Sequence, residues 1–159
     1  MQAVPSLLMA GRKVVASNRQ ARFNYEILDT FEAGMVLLGS EVKSLRAGLA
    51  QLKDSYADIR NGEVWLESAH ISPYKFAENG GHEPERPRKL LLHRREIDRL
   101  FGRIREEGLT LVPTQIYFVE GKAKIELGLG KGKRSHDKRQ SIIDRQQKRE
   151  MARAQSHRR

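Results

Sequence analysis

The chain has 159 residues, no cysteine, 38% hydrophobic residues and a formal net charge of +10. That length supports one domain with extensions; the missing cysteines exclude disulfides and thiolate metal sites, and no apolar run approaches the roughly 20 residues a membrane span needs. The charge is lopsided, because residues 131–159 hold eleven of the 30 Lys/Arg but three of the 20 Asp/Glu. A nearly neutral body with a cationic arm points to a polyanionic partner, nucleic acid above all.

In chain order, the first 13 residues are expected to form a flexible leader. Leu7-Leu8-Met9-Ala10 follows Pro5 without the charged stretch of a secretory signal, which suits a cytoplasmic protein. Tyr25 to Leu38 is rich in strand formers, and Gly34 within it suggests a bulge or bend. Ser40 is placed to cap a short helix that ends at Gly48, with Val42 and Leu45 turned inward. Glu41 and Lys43 read as a surface ion pair on that helix. Asn61-Gly62 between two apolar runs predicts a hairpin, since both residues accept positive φ. A mobile loop is expected over residues 72–88, which contain Gly80, Gly81, Pro84 and Pro87. Ile97, Leu100, Phe101 and Ile104 then follow the spacing of one buried helical face, closed by Gly108. A second hairpin turns at Glu120-Gly121, with Pro113 marking an edge or bulge. Five or six strands around one inserted helix favour a small antiparallel β-barrel over a parallel sheet. The body is expected to span residues 14–130 and the basic tail residues 131–159.

Catalytic patterns are scarce. The five histidines show no metal-ligand spacing, and no nucleophile elbow or dinucleotide-binding glycine motif occurs. Gly128-Leu129-Gly130-Lys131-Gly132-Lys133 lacks the spacing of a phosphate loop and leads into a basic tail. No cofactor, metal site or enzymatic activity is expected.

Basic residues interleaved with rings and amides are more telling. Asn18-Arg19-Gln20-Ala21-Arg22-Phe23-Asn24-Tyr25 offers guanidiniums for phosphates, rings for stacking and amides for base edges, the means of gripping unpaired RNA. Tyr25 fits core and surface equally well. Arg88-Lys89, Lys122 and Lys124 add further cationic positions. The tail has helix formers, no proline and sparse apolar residues, so it is expected to be disordered alone and helical along RNA, where phosphates relieve its self-repulsion.

These segments carry a family resemblance. Asn18-Arg19-x-Ala21-Arg22, Phe31-Glu32-Ala33-Gly34, Gly39-x-Glu41-Val42-Lys43-Ser44-Leu45-Arg46-Ala47-Gly48, Asp54-Ser55-Tyr56, Arg88-Lys89-Leu90-Leu91-Leu92 and Gly130-Lys131-Gly132-Lys133-Arg134-x-His136-Asp137-Lys138-Arg139 are together similar to the small protein B (SmpB) family of bacterial SsrA- or tmRNA-binding proteins. The likeness spans Val14 to Arg139. It implies an oligonucleotide-binding-type barrel with accessory helices. The implied partners are the tRNA-like domain of tmRNA, the stalled ribosome and, indirectly, elongation factor Tu. The outcome is tagging of the nascent peptide and release of the ribosome, with no catalysis by the protein itself.

Carried over by position, the resemblance puts Asn18, Arg19, Arg22, Glu32, Leu91, His93 and Lys124 on the tmRNA face. Glu32 would accept hydrogen bonds from base amino groups and so favour selectivity over affinity; Leu91 fits core packing as well. Gly132, Lys133, Arg134, His136, Lys138 and Arg139 would meet the decoding centre as the tail fills the empty mRNA channel. Gln20, Phe23 and His93 depart from common family residues, and beyond Arg139 the match weakens, with Gln147 near a frequent Trp. Two rival readings are a general RNA chaperone or ribosomal protein on the same barrel, and a metal-dependent nuclease with acids in the groove.

Overall fold

The computed structural model describes residues 11–77, 81–133 and 135–157, and the first ten residues of the expected leader lie outside that range. Among these residues nine strands and four helices follow one another, beginning with β1 (Arg12–Ser17), α1 (Arg19–Asn24), β2 (Tyr25–Met35), α2 (Gly39–Arg46) and β3 (Ala50–Gln51). Next come β4 (Tyr56–Arg60), β5 (Glu63–Glu67), β6 (His70–Ile71), β7 (Arg88–Leu91) and α3 (Arg94–Glu107), then β8 (Thr110–Val119), β9 (Lys122–Gly132) and α4 (Ser135–His157). All strand pairings are antiparallel. The order β8-β4-β5-β7-β2-β9 closes on itself because β9 also pairs with β8, and β1 continues the sheet along β8. The expected barrel is present, and closure leaves few unpaired strand edges.

Both hairpin turns form: Asn61 and Gly62, which accept positive φ, have 52° and 75°, and Glu120 and Gly121 have 49° and 78°, the glutamate held in the left-handed region by the turn. Alternation along β9 sends Ile125, Leu127 and Leu129 into the core, where they join Val64, Leu66, Leu90, Leu111 and Ile116. Ile97 and Leu100 of α3 and Leu45 of α2 complete it. Pro113 sits beside a register shift to Gln115, the bulge its missing N–H predicts.

Several expectations are corrected. β1 begins at Arg12, so Arg12 and Lys13 belong to the sheet and not to a leader. β9 runs to Gly132, two residues past the expected end of the body. The bulge in β2 lies between Ile27 and Asp29, whereas Gly34 marks the point where β2 changes neighbour, pairing with both Lys124 and Leu91. Phe101 is 43% exposed, because α3 buries a stripe narrower than the apolar spacing suggested. Helix α2 is capped from Leu38, whose N–H donates to Glu41 Oε1 at 2.8 Å, and not from Ser40.

The largest correction concerns charge. Glu41 is fully buried, and its carboxylate accepts from Arg88 Nε at 2.6 Å and from Arg86 Nε at 3.1 Å. Arg88, expected among the cations free to meet RNA, is also fully buried; it further donates to the carbonyls of Ala69 (2.7 Å) and Pro84 (2.9 Å). Nothing resembling a Glu41–Lys43 surface pair exists; Lys43 lies over the Tyr74 ring instead. His82, 8% exposed, bonds Ser40 Oγ and the Ile71 carbonyl, so residues 82–88 of the expected mobile loop are pinned to α2 and β6.

Candidate nucleic-acid interface

One outer face of the barrel gathers most of the expected residues. Along β2 and β9 the pairs Gly34↔Lys124 and Glu32↔Glu126 put side chains on the same side, opposite the core residues Ala33 and Ile125. Leu91 follows on β7 across from Gly34, 52% exposed, because a glycine there leaves its side chain uncovered. Leu91 is therefore a surface residue and not core. His93 comes two residues later, exposed at the N-terminus of α3 with its N–H donating to Glu96 Oε1 at 3.2 Å.

Helix α1 borders this face. Asn18 caps it, accepting from the Ala21 N–H at 3.3 Å, while its amide donates to the Pro113 carbonyl at 2.9 Å. Asn18 is 8% exposed, so its side chain is spent on fixing α1 against β8. Arg19 and Arg22 are exposed and form no ion pair among the described residues. They line a cleft of about 180 Å³ with Ser17, Thr114, Gln115 and Glu126. A second cleft, about 310 Å³, opens on the other side of α1 between Gln20, Asn24, Tyr25, Asp54 and Tyr56. Tyr25 is half-buried there, its ring held against Gly130, where any Cβ would sit 2.9 Å from that of Tyr25.

Two carboxylates on this face are fixed by neighbours. Tyr117 is fully buried, and its hydroxyl donates to Glu32 Oε2 at 2.5 Å. The Arg12 guanidinium stacks 3.9 Å above the Tyr117 ring and stands 3.7 Å from the same oxygen. Burial first, then the hydrogen bond to Glu32 and the charges of Glu32 and Glu126, hold the phenol well above its ordinary value of 10.0, so it stays protonated and remains a donor. Glu126, directly across from Glu32, accepts from Thr114 Oγ1 at 2.6 Å and Gln115 Nε2 at 3.2 Å, again through Oε2. Arg12, Tyr117, Gln115 and Glu126 were not singled out from sequence. The alternation Lys122-Ala123-Lys124-Ile125-Glu126-Leu127 already placed Lys124 and Glu126 together on the outward side of a strand.

The tail departs from this face. The Lys133 N–H donates to the Asn24 carbonyl at 2.9 Å and its Nζ to Ser141 Oγ at 2.9 Å. Gly132 ends β9, while Lys138 and Arg139 lie in α4; Arg134 and the His136 side chain fall outside what is described. Ile142, Ile143 and Met151 are 43–67% exposed, too few and too open to dock α4 firmly. Among the described residues no three His, Asp or Glu cluster as a metal site would need, and no helix is long and apolar enough to cross a membrane.

A closed antiparallel barrel with free arginines beside fixed hydrogen-bond acceptors, and a basic helix at its edge, has the makeup of a nucleic-acid-binding barrel protein. Known proteins narrow the class. The family model described as SmpB protein matches residues 15–157. The SsrA-binding protein of Acidothermus cellulolyticus is 59% identical over 145 residues, covering 91% of each chain. That of Salinispora arenicola is 60% identical over 148 residues, 93% of each. A chain in a solved structure described as "tmRNA-SmpB: a journey to the center of the bacterial ribosome" is 48% identical with a TM-score of 0.64, covering 79% of this chain and 92% of that one. The chain belongs to the SmpB family.

Proposed function

We propose that this protein binds tmRNA through its barrel and acts in trans-translation, rescuing stalled ribosomes. The observation that carries this reading is identity of 59–60% to SsrA-binding proteins over more than nine-tenths of the chain. The geometry supports it, since Arg19, Arg22, Glu32, Leu91 and Lys124 share one side of the barrel and its rim. The arginines supply phosphate contacts, which set register and affinity, and Glu32 supplies an acceptor for base donors. Asn18 serves this face by holding α1, and His93 flanks it.

The finer division of labour is also proposed here. The barrel selects the tRNA-like domain, and the tail, from Gly132 and Lys133 through Arg134, His136, Lys138 and Arg139, enters the vacant mRNA channel at the decoding centre. The tail's charge favours a disordered ensemble in free solution and the helical form of α4 on ribosomal RNA. Elongation factor Tu joins through tmRNA, the protein catalyses no reaction, and it works in the cytoplasm.

The test compares the full chain with a version ending at Lys133, which keeps β9 whole. The shortened protein should bind a transcript of the tRNA-like domain within about two-fold of the full chain, yet support no peptide tagging on ribosomes stalled at a truncated message. With about six phosphate contacts in the body, log affinity should fall with log salt at a slope of about −4. Loss of binding on truncation, or no preference of the full chain for that transcript over bulk tRNA, would overturn the reading.

A further inference from the structure

Glu32 and Glu126 are directly opposed on neighbouring strands. Like charges directly opposite one another destabilise a sheet, and a pair of carboxylates on an RNA-binding face also repels phosphates. Both are nevertheless anchored. Tyr117 and Arg12 converge on Glu32 Oε2, and Thr114 and Gln115 converge on Glu126 Oε2. In each case Oε1 has no hydrogen-bond partner among the described residues. The arrangement is thus two adjacent acceptors, each held by its other oxygen, flanked by the unpaired cations Arg19 and Arg22 along one edge and Lys124 two residues along β9.

Resting on the tmRNA-binding reading, we propose that Glu126 is a specificity-determining residue, and that its free oxygen and that of Glu32 together read the N1–H and the exocyclic N2 amino group of one unpaired guanine. Guanine alone among the RNA bases offers two adjacent donors on its Watson–Crick edge; adenine and cytosine each set a donor beside a ring acceptor, and that acceptor would face a carboxylate oxygen. A base must be unpaired to show this edge, which is how proteins read RNA sequence. The flanking cations neutralise the adjoining phosphates, so the carboxylates select without abolishing affinity. Tyr117 and Thr114 are positioning residues, since each touches a carboxylate and not the base.

Isosteric substitution tests this with a built-in sign. In Glu126→Gln the carbonyl oxygen stays where Thr114 and Gln115 donate, so the amide NH2 turns outward and an acceptor becomes a donor. Glu32→Gln does the same against Tyr117 and Arg12. The probes are a transcript of the tRNA-like domain and the same transcript with inosine, which lacks the N2 amino group, at its unpaired guanosines. Inosine should weaken binding by the unaltered protein about ten-fold. Each Gln variant should bind the guanosine transcript about ten-fold more weakly, and at least one should lose the inosine penalty. Should Glu126→Gln lower the thermal midpoint, Thr114→Val carries the test, because it keeps the carboxylate but removes the shorter of its two tethers and leaves only Gln115; the inosine penalty should shrink about three-fold. A full inosine penalty in all three variants overturns the proposal, as does its absence from a natural protein that still prefers the tRNA-like domain to bulk tRNA. Absence of that preference strikes at the tmRNA-binding reading itself.

Discussion

Glu41 is bonded by two arginines and Glu32 by a tyrosine with an arginine beside it, yet the two regions use a similar set of partners oppositely. At the α2 end, Glu41 is fully buried with Arg88 and holds residues 86–88 against the helix. On the open face, Glu32 keeps 49% of its side chain exposed, with one oxygen tied and one outward. A desolvated pair has no hydrogen-bonding capacity left for a ligand, and removing one partner strands a buried charge. A half-exposed carboxylate contributes little to folding and retains an acceptor. Burial, and not residue type, separates the carboxylate that holds the scaffold from the one that keeps a free acceptor.

The comparison breaks first at Arg88. Arg88→Met should destabilise the protein by about 3–5 kcal/mol in urea unfolding, because Glu41 is left in the core with the half-exposed Arg86. RNA affinity measured under folding conditions should be unchanged. The double variant Glu41→Leu with Arg88→Met should recover most of that loss.

The same site sets an acid limit. Burial pushes the Glu41 carboxyl up, but hydrogen bonds from Arg86, the Leu38 N–H and Arg88, with the charge of Arg88, outweigh it and hold the group below its ordinary value of 4.5. A depressed carboxyl contributes fully above the unfolded-chain value, and that contribution is lost as pH falls through the folded one. Unfolding midpoints should therefore decline below about pH 4.5 more steeply in the natural protein than in Glu41→Gln.

Gly130→Ala probes the seam between core and interface. Its Cβ would meet that of Tyr25 at 2.9 Å, inside any normal contact. A loss of about 1–3 kcal/mol is expected in thermal unfolding, with the ring displaced from its cleft. The smallest effect belongs to the rim: Arg19→Ala and Arg22→Ala should leave stability alone. Each should flatten the plot of log affinity against log salt by about 0.7–0.9.

Local chemistry made the hairpins legible, since Asn61-Gly62 needs only its own φ preferences and Gly121 marks the second turn, and alternation gave β9 its two faces. The buried pair was opaque because Glu41 and Arg88 lie 47 residues apart, while next-door neighbours offered plausible local partners: Lys43 for the acid, and Lys89 for a cationic patch. Phe101 misled because apolar spacing marks a stripe but not its width, and only the packed neighbours decide which edge stays wet. In the interface, the resemblance picked out Glu32 and Lys124, yet the Tyr117 and Arg12 that orient Glu32 come from β8 and β1, and no spacing along the chain shows that they meet.

Strand β9 carries Glu126 on the barrel's outer face and leads towards the tail, and it is flanked by β2 and β8 on its two sides. Hydrogen bonds in such ladders lie across the strand direction, so tension drawn through the tail loads both rows in shear instead of unzipping them one at a time. Force applied to residues beyond Gly132 therefore meets the whole barrel as one rigid load.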